Sequence, residues 1–279
     1  MLGSELLLKC LEEEGVDMVF GLPGGAVIPL YDVIWKSNIK HILMRHEQGA
    51  IHAADGYARS TGRPGVCFAT SGPGAANLIT GLGTAYMDSV PIVAITGQVA
   101  QILLGKDSFQ EADVVGLTTP VTKHSYMLNS ATEIPNVIAE AFHIATSGRP
   151  GPVVIDIPKN LFSQEVLNAQ PGKIRDRLKK KFSFPKIKDE WVDKVAADLQ
   201  GAAKPMILTG GGVNNRRTSE LVSRIADKYD LPVATTLMGK GAYAGKKQLM
   251  LGMVGMHGTP AANWAIQNSD CSCYSNRLV

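Results

Sequence analysis

Two short runs of this chain are apolar at nearly every position: PIVAITG at 91–97 and PVVIDIP at 152–158. A strand with one face in solvent alternates apolar and polar residues, whereas a run without alternation indicates that both faces of the strand are covered. Strands of that kind are typical of parallel sheets that lie between two layers of helices. The sequence therefore predicts a three-layer α/β fold for the first part of the chain.

Helix-like and strand-like segments alternate through this part. The helices are predicted at 4–14, 26–37, 47–60, 75–87 and 132–147, and the strands at 16–20, 41–44, 65–70, 91–97 and 152–158. Local signals favour these bounds, since Ser4 is a candidate cap of the first helix and Gly15 stands where that helix should stop. Pro29 falls in a first helical turn, where its missing N–H costs least.

A basic stretch then interrupts the pattern. Residues 173–188 hold eight Lys or Arg and one Asp, a net charge of +7 within an overall +3, so the rest of the chain carries −4. Such a run is either a phosphate-binding surface or a solvated linker, and its short length and flanking prolines favour the linker. We interpret 1–165 as one domain, 166–187 as the linker and 188–279 as a second domain.

The second domain is predicted to begin another α/β unit. Its helices are expected at 189–200, 217–229 and 260–268, and its strands at 205–209 and 231–237. Gly210, Gly211 and Gly212 follow the first of these strands, where glycines let a dinucleotide approach the backbone, although a plain tight turn explains them equally well. Residues 271–279 show neither apolar continuity nor alternation, so we expect them to be foreign to the fold.

Composition excludes several other classes of protein. With 45% apolar and 19% charged residues, the chain is globular rather than disordered or coiled-coil. No window approaches the roughly 18 uninterrupted apolar residues of a membrane span, and acidic residues come too early for a leader peptide. The four cysteines have no CxxC pairing, which weighs against disulfides and a zinc site. We expect a cytoplasmic protein without membrane, nucleic-acid or metal contacts of its own.

Glu47 is the first candidate for chemistry. It lies in the segment HILMRHEQGAIHAADGYARSTG (41–62), where a strand ends and a helix begins. Open parallel sheets place their ligand sites at the carboxyl ends of the strands, so this position favours a role in a site. A glutamate in a first helical turn is also stabilised by the helix dipole, and that alternative stays open.

Two further segments lead to the same edge of the predicted sheet. Gly72 and Pro73 belong to a glycine-lined turn after the strand at 65–70, and the following helix could offer its free N–H groups to a ligand. A purely structural turn is equally compatible. Phe109 and Gln110 lie in a long polar loop at 107–124, and loops of that length tend to be functional or mobile.

These segments together resemble a known enzyme family. The chain is similar to the thiamine-diphosphate-dependent decarboxylases and carboligases, and within them to the catalytic large subunits of acetohydroxyacid synthase (acetolactate synthase), over residues 1–270. The motifs that carry the resemblance are FGLPGGAVIPLYD (20–32), RHEQGAIHAADGYARSTGRPG (45–65), TSGPGAANLITGL (70–82), DSVPIVAITGQV (88–99), DSFQE (107–111), TKH (122–124), SGRPGPVVIDIPK (147–159), LMGKGAY (237–243) and MVGMHG (253–258).

The resemblance implies roles for individual residues. Glu47 matches the glutamate that activates thiamine diphosphate, because a carboxyl group shielded from water can share a proton with the aminopyrimidine ring. Three further groups of positions match the family's motifs. The residues that would line the thiamine diphosphate site are Gly24, Gly25, Gly72, Pro73 and Asn77. Those that would border the substrate channel are Phe109, Gln110 and Lys123. The residues that would contact a flavin are Arg149 and, in three loops, Gly210, Gly211, Gly212, Thr236, Leu237, Met238, Gly255, Met256, His257 and Gly258.

The resemblance also implies a reaction and a set of partners. Pyruvate is decarboxylated and joined to pyruvate or 2-oxobutyrate, giving 2-acetolactate or 2-aceto-2-hydroxybutyrate, with FAD bound in a non-redox role. Family members form dimers or tetramers and bind a small regulatory subunit. The first domain would then be the pyrimidine-binding domain, and the second an incomplete FAD-binding-type middle domain.

A third domain, which carries the Mg²⁺ and diphosphate ligands of the family, is missing from this sequence. We therefore expect the chain alone to be inactive. A frameshift is the preferred hypothesis for its ending, because codons for residues 271–277 can be chosen so that the next frame reads VLAIAIG. Two alternatives stay open: another carboligase or decarboxylase with the same cofactor, and a non-catalytic flavin-binding or assembly fragment.

Overall fold

The structure is a computed structural model that describes residues 1–167 and 187–275. The chain divides into two compact units, Met1–Ser183 and Phe184–Val279. The point of division lies inside the stretch interpreted as a linker, most of which (168–186) lies outside the described residues. The domain bounds from the sequence therefore stay predictions.

The first unit is built on a six-stranded parallel sheet. Its strands are β1 (Met18–Gly21), β2 (Lys40–Leu43), β3 (Gly65–Ala69), β4 (Ile92–Gln98), β5 (His124–Met127) and β6 (Pro152–Pro158). They lie in the order β2-β1-β3-β4-β6-β5. The central strands β3, β4 and β6 are buried at every position, which confirms the prediction that both sheet faces are covered.

Helices cover the two faces of this sheet. They are α1 (Gly3–Glu13), α2 (Ile28–Ile34), α3 (Glu47–Thr61), α4 (Pro73–Ala76), α5 (Ile79–Asp88), α6 (Val114–Thr118), α7 (Ile134–Thr146) and α8 (Lys159–Phe162). One apolar core joins α1, α2 and α7 to the sheet, and another joins α3 and α5 to it. Neighbouring strand residues divide between these cores: Val93 and Ile95 belong to the first, Ile92 and Ala94 to the second. The three-layer prediction is thus confirmed.

The start of α1 differs from the prediction. The helix begins at Gly3, and the Leu2 N–H donates to the Glu5 carboxylate at 3.1 Å. Ser4 is therefore inside the helix and fully buried, and among the described residues its hydroxyl has no hydrogen-bond partner. Glu5, three residues after Leu2, therefore has the capping role that the sequence suggested for Ser4. Gly15, by contrast, follows the helix end with a φ of +81°.

Other differences concern short elements. The predicted helix at 75–87 is two helices, α4 and α5, which are separated at Asn77 and Leu78. Strand β5 and helix α6 were not predicted, because they span only four and five residues, which is too short to show a periodicity. Both lie within or directly after the loop predicted at 107–124.

The second unit carries a smaller parallel sheet of the strands β7 (Pro205–Thr209), β8 (Val233–Thr235), β9 (Met250–Met253) and β10 (Cys271–Ser275). These strands lie in the order β10-β7-β8-β9. The helices described in this unit are α9 (Asp189–Gly201), α10 (Arg216–Tyr229) and α11 (Pro260–Asn268). The predicted helices agree closely with these bounds. Strand β9 was not predicted, and β8 is shorter than the predicted run at 231–237.

Residues 271–275 form strand β10 where no strand was expected, whereas the interpretation of 271–279 as a non-native tail stays a prediction. Cys271–Ser275 pairs in parallel with β7, from Cys271 opposite Pro205 to Ser275 opposite Thr209. Pairing uses backbone groups, so a run without an apolar pattern can join a sheet edge when its start is fixed. Asp270 fixes it here, since its carboxylate accepts from the N–H groups of Ala203 at 2.7 Å and Lys204 at 2.8 Å. Residues 276–279 lie outside the described part.

Candidate functional site

Glu47 opens α3 directly after strand β2. The helix is capped by His46, whose Nδ1 accepts from the Gln48 N–H at 3.1 Å. This cap turns Glu47 inward, where it is only 7% exposed. Its Oε2 accepts from Asn77 Nδ2 at 3.0 Å, and its Oε1 lies 3.2 Å from the point where a side chain on Gly74 would begin. A buried carboxylate thus faces the glycine turn after β3.

Gly72 is required by the geometry of that turn. Its φ is +57° and its ψ is −116°, a conformation that L side chains rarely adopt. A Cβ atom at Gly72 would also lie 2.6 Å from the Gln110 carbonyl oxygen. The loop that carries Gln110 therefore rests directly on the turn, and Gln110 itself has a φ of +58°.

Gly24 makes a similar close approach from the loop after β1. A Cβ atom there would lie 2.5 Å from Thr70 Cβ, whereas Gly25 has no atom within 4 Å of that point. The Ala26 N–H donates to Thr70 Oγ1 at 3.2 Å, which holds the loop against the end of β3. The structure thus brings the predicted segments after β1, β2, β3 and β4 to one edge of the sheet.

The loop that contains Phe109 is exposed but internally fixed. The Phe109 side chain is 88% exposed. The Glu111 carboxylate accepts from the Ser108 N–H at 2.9 Å and from the Gly105 N–H, and these bonds hold the pKa of Glu111 below its usual value. Phe109 and Gln110 are therefore presented at the mouth beside Gly72.

A buried polar network under this loop was not predicted from the sequence. Asp156 lies in the middle of β6 and is fully buried. Thr96 Oγ1 donates to its Oδ1 at 2.6 Å and Gln98 Nε2 to its Oδ2 at 2.9 Å. Burial raises the pKa of Asp156 to about 7, although both hydrogen bonds oppose the shift. The only charged residue within the apolar run PVVIDIP was the signal that could have identified it.

Lys123 and Arg149 lie elsewhere on the unit. They precede β5 and β6, so they stand at the amino edge of the sheet, opposite the edge of Glu47. The Lys123 ammonium donates to the carbonyl oxygens of Ile144 and, at 2.7 Å, Ser147, and burial lowers its pKa. Arg149 donates to Ser89 Oγ and the Met87 carbonyl, both at 2.8 Å. Within this chain neither residue joins Glu47, and their substrate and flavin roles stay predictions.

The three predicted flavin loops meet at the carboxyl edge of the second sheet. They follow β7, β8 and β9, the three neighbouring strands of that sheet. A Cβ atom on Gly211 would lie 3.1 Å from Met238 Cβ, so the first two loops touch. Gly255 has a φ of +107°, and Asn263 binds it through both its N–H at 2.9 Å and its carbonyl at 3.0 Å. Met256 in that loop is 91% exposed.

An apolar groove in the second unit contains none of the predicted residues. It has a volume of about 600 Å³ and is lined by side chains of α9 and α10, among them Trp191, Val195 and Tyr229. Nearly all of its lining is apolar, so it offers few polar groups that could orient a phosphate-bearing cofactor. The sheet edges, not this groove, carry the candidate sites.

Comparison with known families decides the relationship. Residues 1–117 match the model of the thiamine pyrophosphate enzyme N-terminal TPP binding domain, and residues 192–273 match the model of the thiamine pyrophosphate enzyme central domain. The chain belongs to the thiamine pyrophosphate enzymes. Both sheet edges described above therefore lie in domains of this enzyme family, and the resemblance seen in the sequence is confirmed.

Individual relatives are acetolactate synthases. The chain is 49% identical over 269 residues to the acetolactate synthase large subunit of Mycobacterium tuberculosis (strain CDC 1551 / Oshkosh), covering 96% of this chain and 43% of that protein. It is 48% identical over 277 residues to a probable acetolactate synthase large subunit of Methanocaldococcus jannaschii, covering 97% and 46%. The Lactococcus lactis subsp. lactis large subunit is 45% identical over 269 residues, covering 96% and 46%. The chain thus spans less than half the length of these relatives.

The residues of the first unit fit the pyrimidine half of thiamine pyrophosphate. A buried carboxylate, oriented by Asn77, lies at an edge that glycines keep open to a flat ring. The diphosphate half needs a divalent cation and its oxygen ligands. Within residues 1–167 and 187–275, no group of three or more His, Cys, Asp or Glu is arranged to hold a metal ion. In the same ranges no helix is both long and apolar enough to cross a membrane.

The second unit fits an extended ligand in the manner of a dinucleotide site. Its three loops line one sheet edge, with glycines at the close approach between the first two. The Thr235 hydroxyl at the end of β8 is buried, and among the described residues it has no hydrogen-bond partner. These features are compatible with FAD.

Proposed function

We propose that this chain is the N-terminal part of an acetolactate synthase large subunit and supplies the pyrimidine-binding half of a thiamine diphosphate site. The observation that carries the proposal is the buried Glu47 carboxylate, which faces the Gly72–Asn77 segment at the carboxyl edge of the sheet. Sequence identity of 45–49% to acetolactate synthases over 96–97% of the chain supports the choice of reaction.

Glu47 would hold a proton shared with a ring nitrogen of the bound aminopyrimidine. Its burial removes competition from water, and the Asn77 amide fixes one carboxylate oxygen, so the other is left to meet the ring. Gly24, Gly25, Gly72 and Pro73 would line the site. When bound, thiamine diphosphate supplies the carbon nucleophile for decarboxylation and carboligation of 2-oxo acids.

The remaining parts of the proposed function follow the relatives. The substrates would be pyruvate and, as second acceptor, pyruvate or 2-oxobutyrate. Phe109 and Gln110 would border the substrate channel at its entry. Lys123 would border the channel as well, although within this chain it lies at the sheet edge opposite Glu47. We propose that Mg²⁺ is held outside the residues that the structure describes, and that these 279 residues by themselves form no product from pyruvate. We also propose a cytoplasmic location, homodimers or tetramers, and a regulatory small subunit.

Titration of the chain with thiamine diphosphate by calorimetry tests the cofactor proposal. We expect Glu47→Gln to weaken binding by about tenfold or more, because a hydrogen bond to a charged group contributes about 1.5–3 kcal/mol. Glu190→Gln is the matched control, since Glu190 is an exposed glutamate in the first turn of α9 and its replacement should leave the affinity unchanged. Equal affinities for the unsubstituted chain and Glu47→Gln would contradict the role of Glu47, and acetolactate formation by the chain would contradict its inactivity.

The flavin site is a separate part of the proposal. FAD, in a non-redox role, would lie at the carboxyl edge of the second sheet against the loops after β7, β8 and β9. Purified chain that is incubated with FAD and passed through a desalting column should retain flavin absorbance at about 450 nm. Gly211→Val should abolish retention, because the loops already touch at that point. A chain that retains no flavin under any condition would leave the thiamine diphosphate proposal intact and refute this one.

A further inference from the structure

Gln98 connects the buried sheet to the loop that presents Phe109 and Gln110. It is the last residue of β4 and is fully buried. Its amide nitrogen donates to Asp156 Oδ2 at 2.9 Å and to the Ala112 carbonyl at 2.8 Å, and its oxygen accepts from the Val99 N–H at 2.9 Å. Every polar atom of the side chain is thus paired, and another rotamer would leave buried groups without partners.

Asp156 decides which end of the Gln98 amide faces the loop. A flipped amide would direct its oxygen at the Ala112 carbonyl oxygen, which is always an acceptor, and at Asp156 Oδ2, which is an acceptor wherever the carboxyl is ionised. The carboxylate itself cannot turn away, because Thr96 holds its other oxygen at 2.6 Å. The orientation of Gln98, and with it the bond to Ala112, therefore depends on Asp156.

The bond to Ala112 acts close to the mouth of the site. Ala112 is two residues from Gln110, whose backbone rests on Gly72. The Glu111 carboxylate between them accepts from the Ser108 N–H and hydroxyl, both at 2.9 Å, so residues 108–112 form one fixed segment. This segment is held at Gly72 by contact and at Ala112 by a hydrogen bond from the sheet.

We propose that Asp156 and Gln98 are positioning residues, which hold the 108–112 segment, and with it Phe109 and Gln110, in place over the Gly72 turn. Neither residue touches the site, so the effect passes through the Ala112 carbonyl. The inference rests on the proposed function only in its consequence, that Phe109 and Gln110 are kept ready for a substrate.

A purely structural role for the network makes a different prediction, and Thr96 distinguishes the two. Thr96 binds the same carboxylate from the same strand and is equally buried, yet among the described residues its side chain makes no hydrogen bond to the 108–112 segment. Thr96→Val and Gln98→Met each remove one partner of Asp156 at nearly constant volume. Both should lower overall stability, but only Gln98→Met removes the bond to the 108–112 segment.

Hydrogen exchange followed by mass spectrometry measures the result directly in the chain as it exists. Peptides that cover 105–114 are compared with peptides from α7, which report on the fold as a whole. Relative to α7, we expect exchange of 105–114 to accelerate about fivefold in Gln98→Met, the effect of one typical hydrogen bond, and to stay within about twofold in Thr96→Val. If exchange of 105–114, measured relative to exchange of α7, accelerated equally in the two variants, the positioning role would be overturned.

A second variant covers the case in which Gln98→Met does not fold. Asp156→Asn keeps an acceptor oxygen toward Gln98 and can direct its amide to the Thr96 hydroxyl, so we expect protection of 105–114 to be retained. Loss of that protection while α7 stays protected would refute the role. The exchange result does not depend on cofactor binding, so failure of the chain to bind thiamine diphosphate would contradict the proposed function and leave this inference standing.

Discussion

Replacement of Gly72 by alanine tests the close approach on which the candidate site depends. Two costs act together at this position. The backbone has φ +57° and ψ −116°, which costs an L residue about 1–3 kcal/mol. The new Cβ atom would also lie 2.6 Å from the Gln110 carbonyl oxygen, and overpacking against backbone costs about another 1–3 kcal/mol. We expect Gly72→Ala to lower the free energy of unfolding by about 2–6 kcal/mol.

Two other glycines separate these costs. Gly62 has a φ of +72° with no atom within 4 Å of its Cβ position, so Gly62→Ala carries only the backbone cost of about 1–2 kcal/mol. Gly25 has neither the unusual φ nor a neighbour within 4 Å, so Gly25→Ala should change stability by less than about 0.5 kcal/mol. The three variants should therefore rank Gly25, Gly62, Gly72 in increasing cost.

Urea unfolding of the first unit provides the measurement. Trp35 is the only tryptophan of the first unit in the sequence, so a background with Trp191→Phe and Trp264→Phe lets its fluorescence report on that unit. With a urea dependence of about 1–3 kcal/mol per M, Gly72→Ala should lower the midpoint by roughly 1 M or more. A midpoint for Gly72→Ala no lower than that of Gly62→Ala would show that Gln110 does not rest on the turn, and the description of the site would fail.

Two further predictions concern Asp156 and Asp270. Because the pKa of Asp156 is raised from 3.8 to about 7 in the folded chain, its contribution to stability falls as the pH rises from about 4 to 7 and is level above that. The free energy of unfolding of Asp156→Asn, relative to that of the unsubstituted chain, should therefore rise by up to about 4 kcal/mol from pH 4 to pH 8. Urea midpoints at each pH measure this difference, and a difference that does not change with pH would contradict the raised pKa. Asp270→Ala removes the acceptor of the Ala203 and Lys204 N–H groups, so exchange at 271–275 should accelerate about fivefold or more, whereas Asn268→Ala should leave it unchanged. Slow exchange at 271–275 in Asp270→Ala would show that the strand is fixed by other means.

The layered fold could be predicted from the sequence because its signals are local. The apolar runs that form β4 and β6 are each buried at all seven positions. A short run of that kind is typical of a parallel strand that is covered on both faces. Strand β10 could not be predicted in the same way. It is fixed by backbone pairing with β7 and by the Asp270 carboxylate, and neither leaves an apolar pattern in the segment itself.

The same distinction explains what the sequence revealed of the candidate site. In a parallel sheet all strands end at one edge, so strand positions alone predict that Glu47, Gly72 and Gln110 come together. They do not predict the bonds between segments, because Gln98 and Asp156 are 58 residues apart in sequence and their hydrogen bond depends on the register of β4 against β6. The family resemblance assigns residues that face the cofactor or substrate, whereas this buried pair faces neither. The residues that hold a site in shape are therefore harder to recognise in a sequence than those that line it, and only the packed structure shows them.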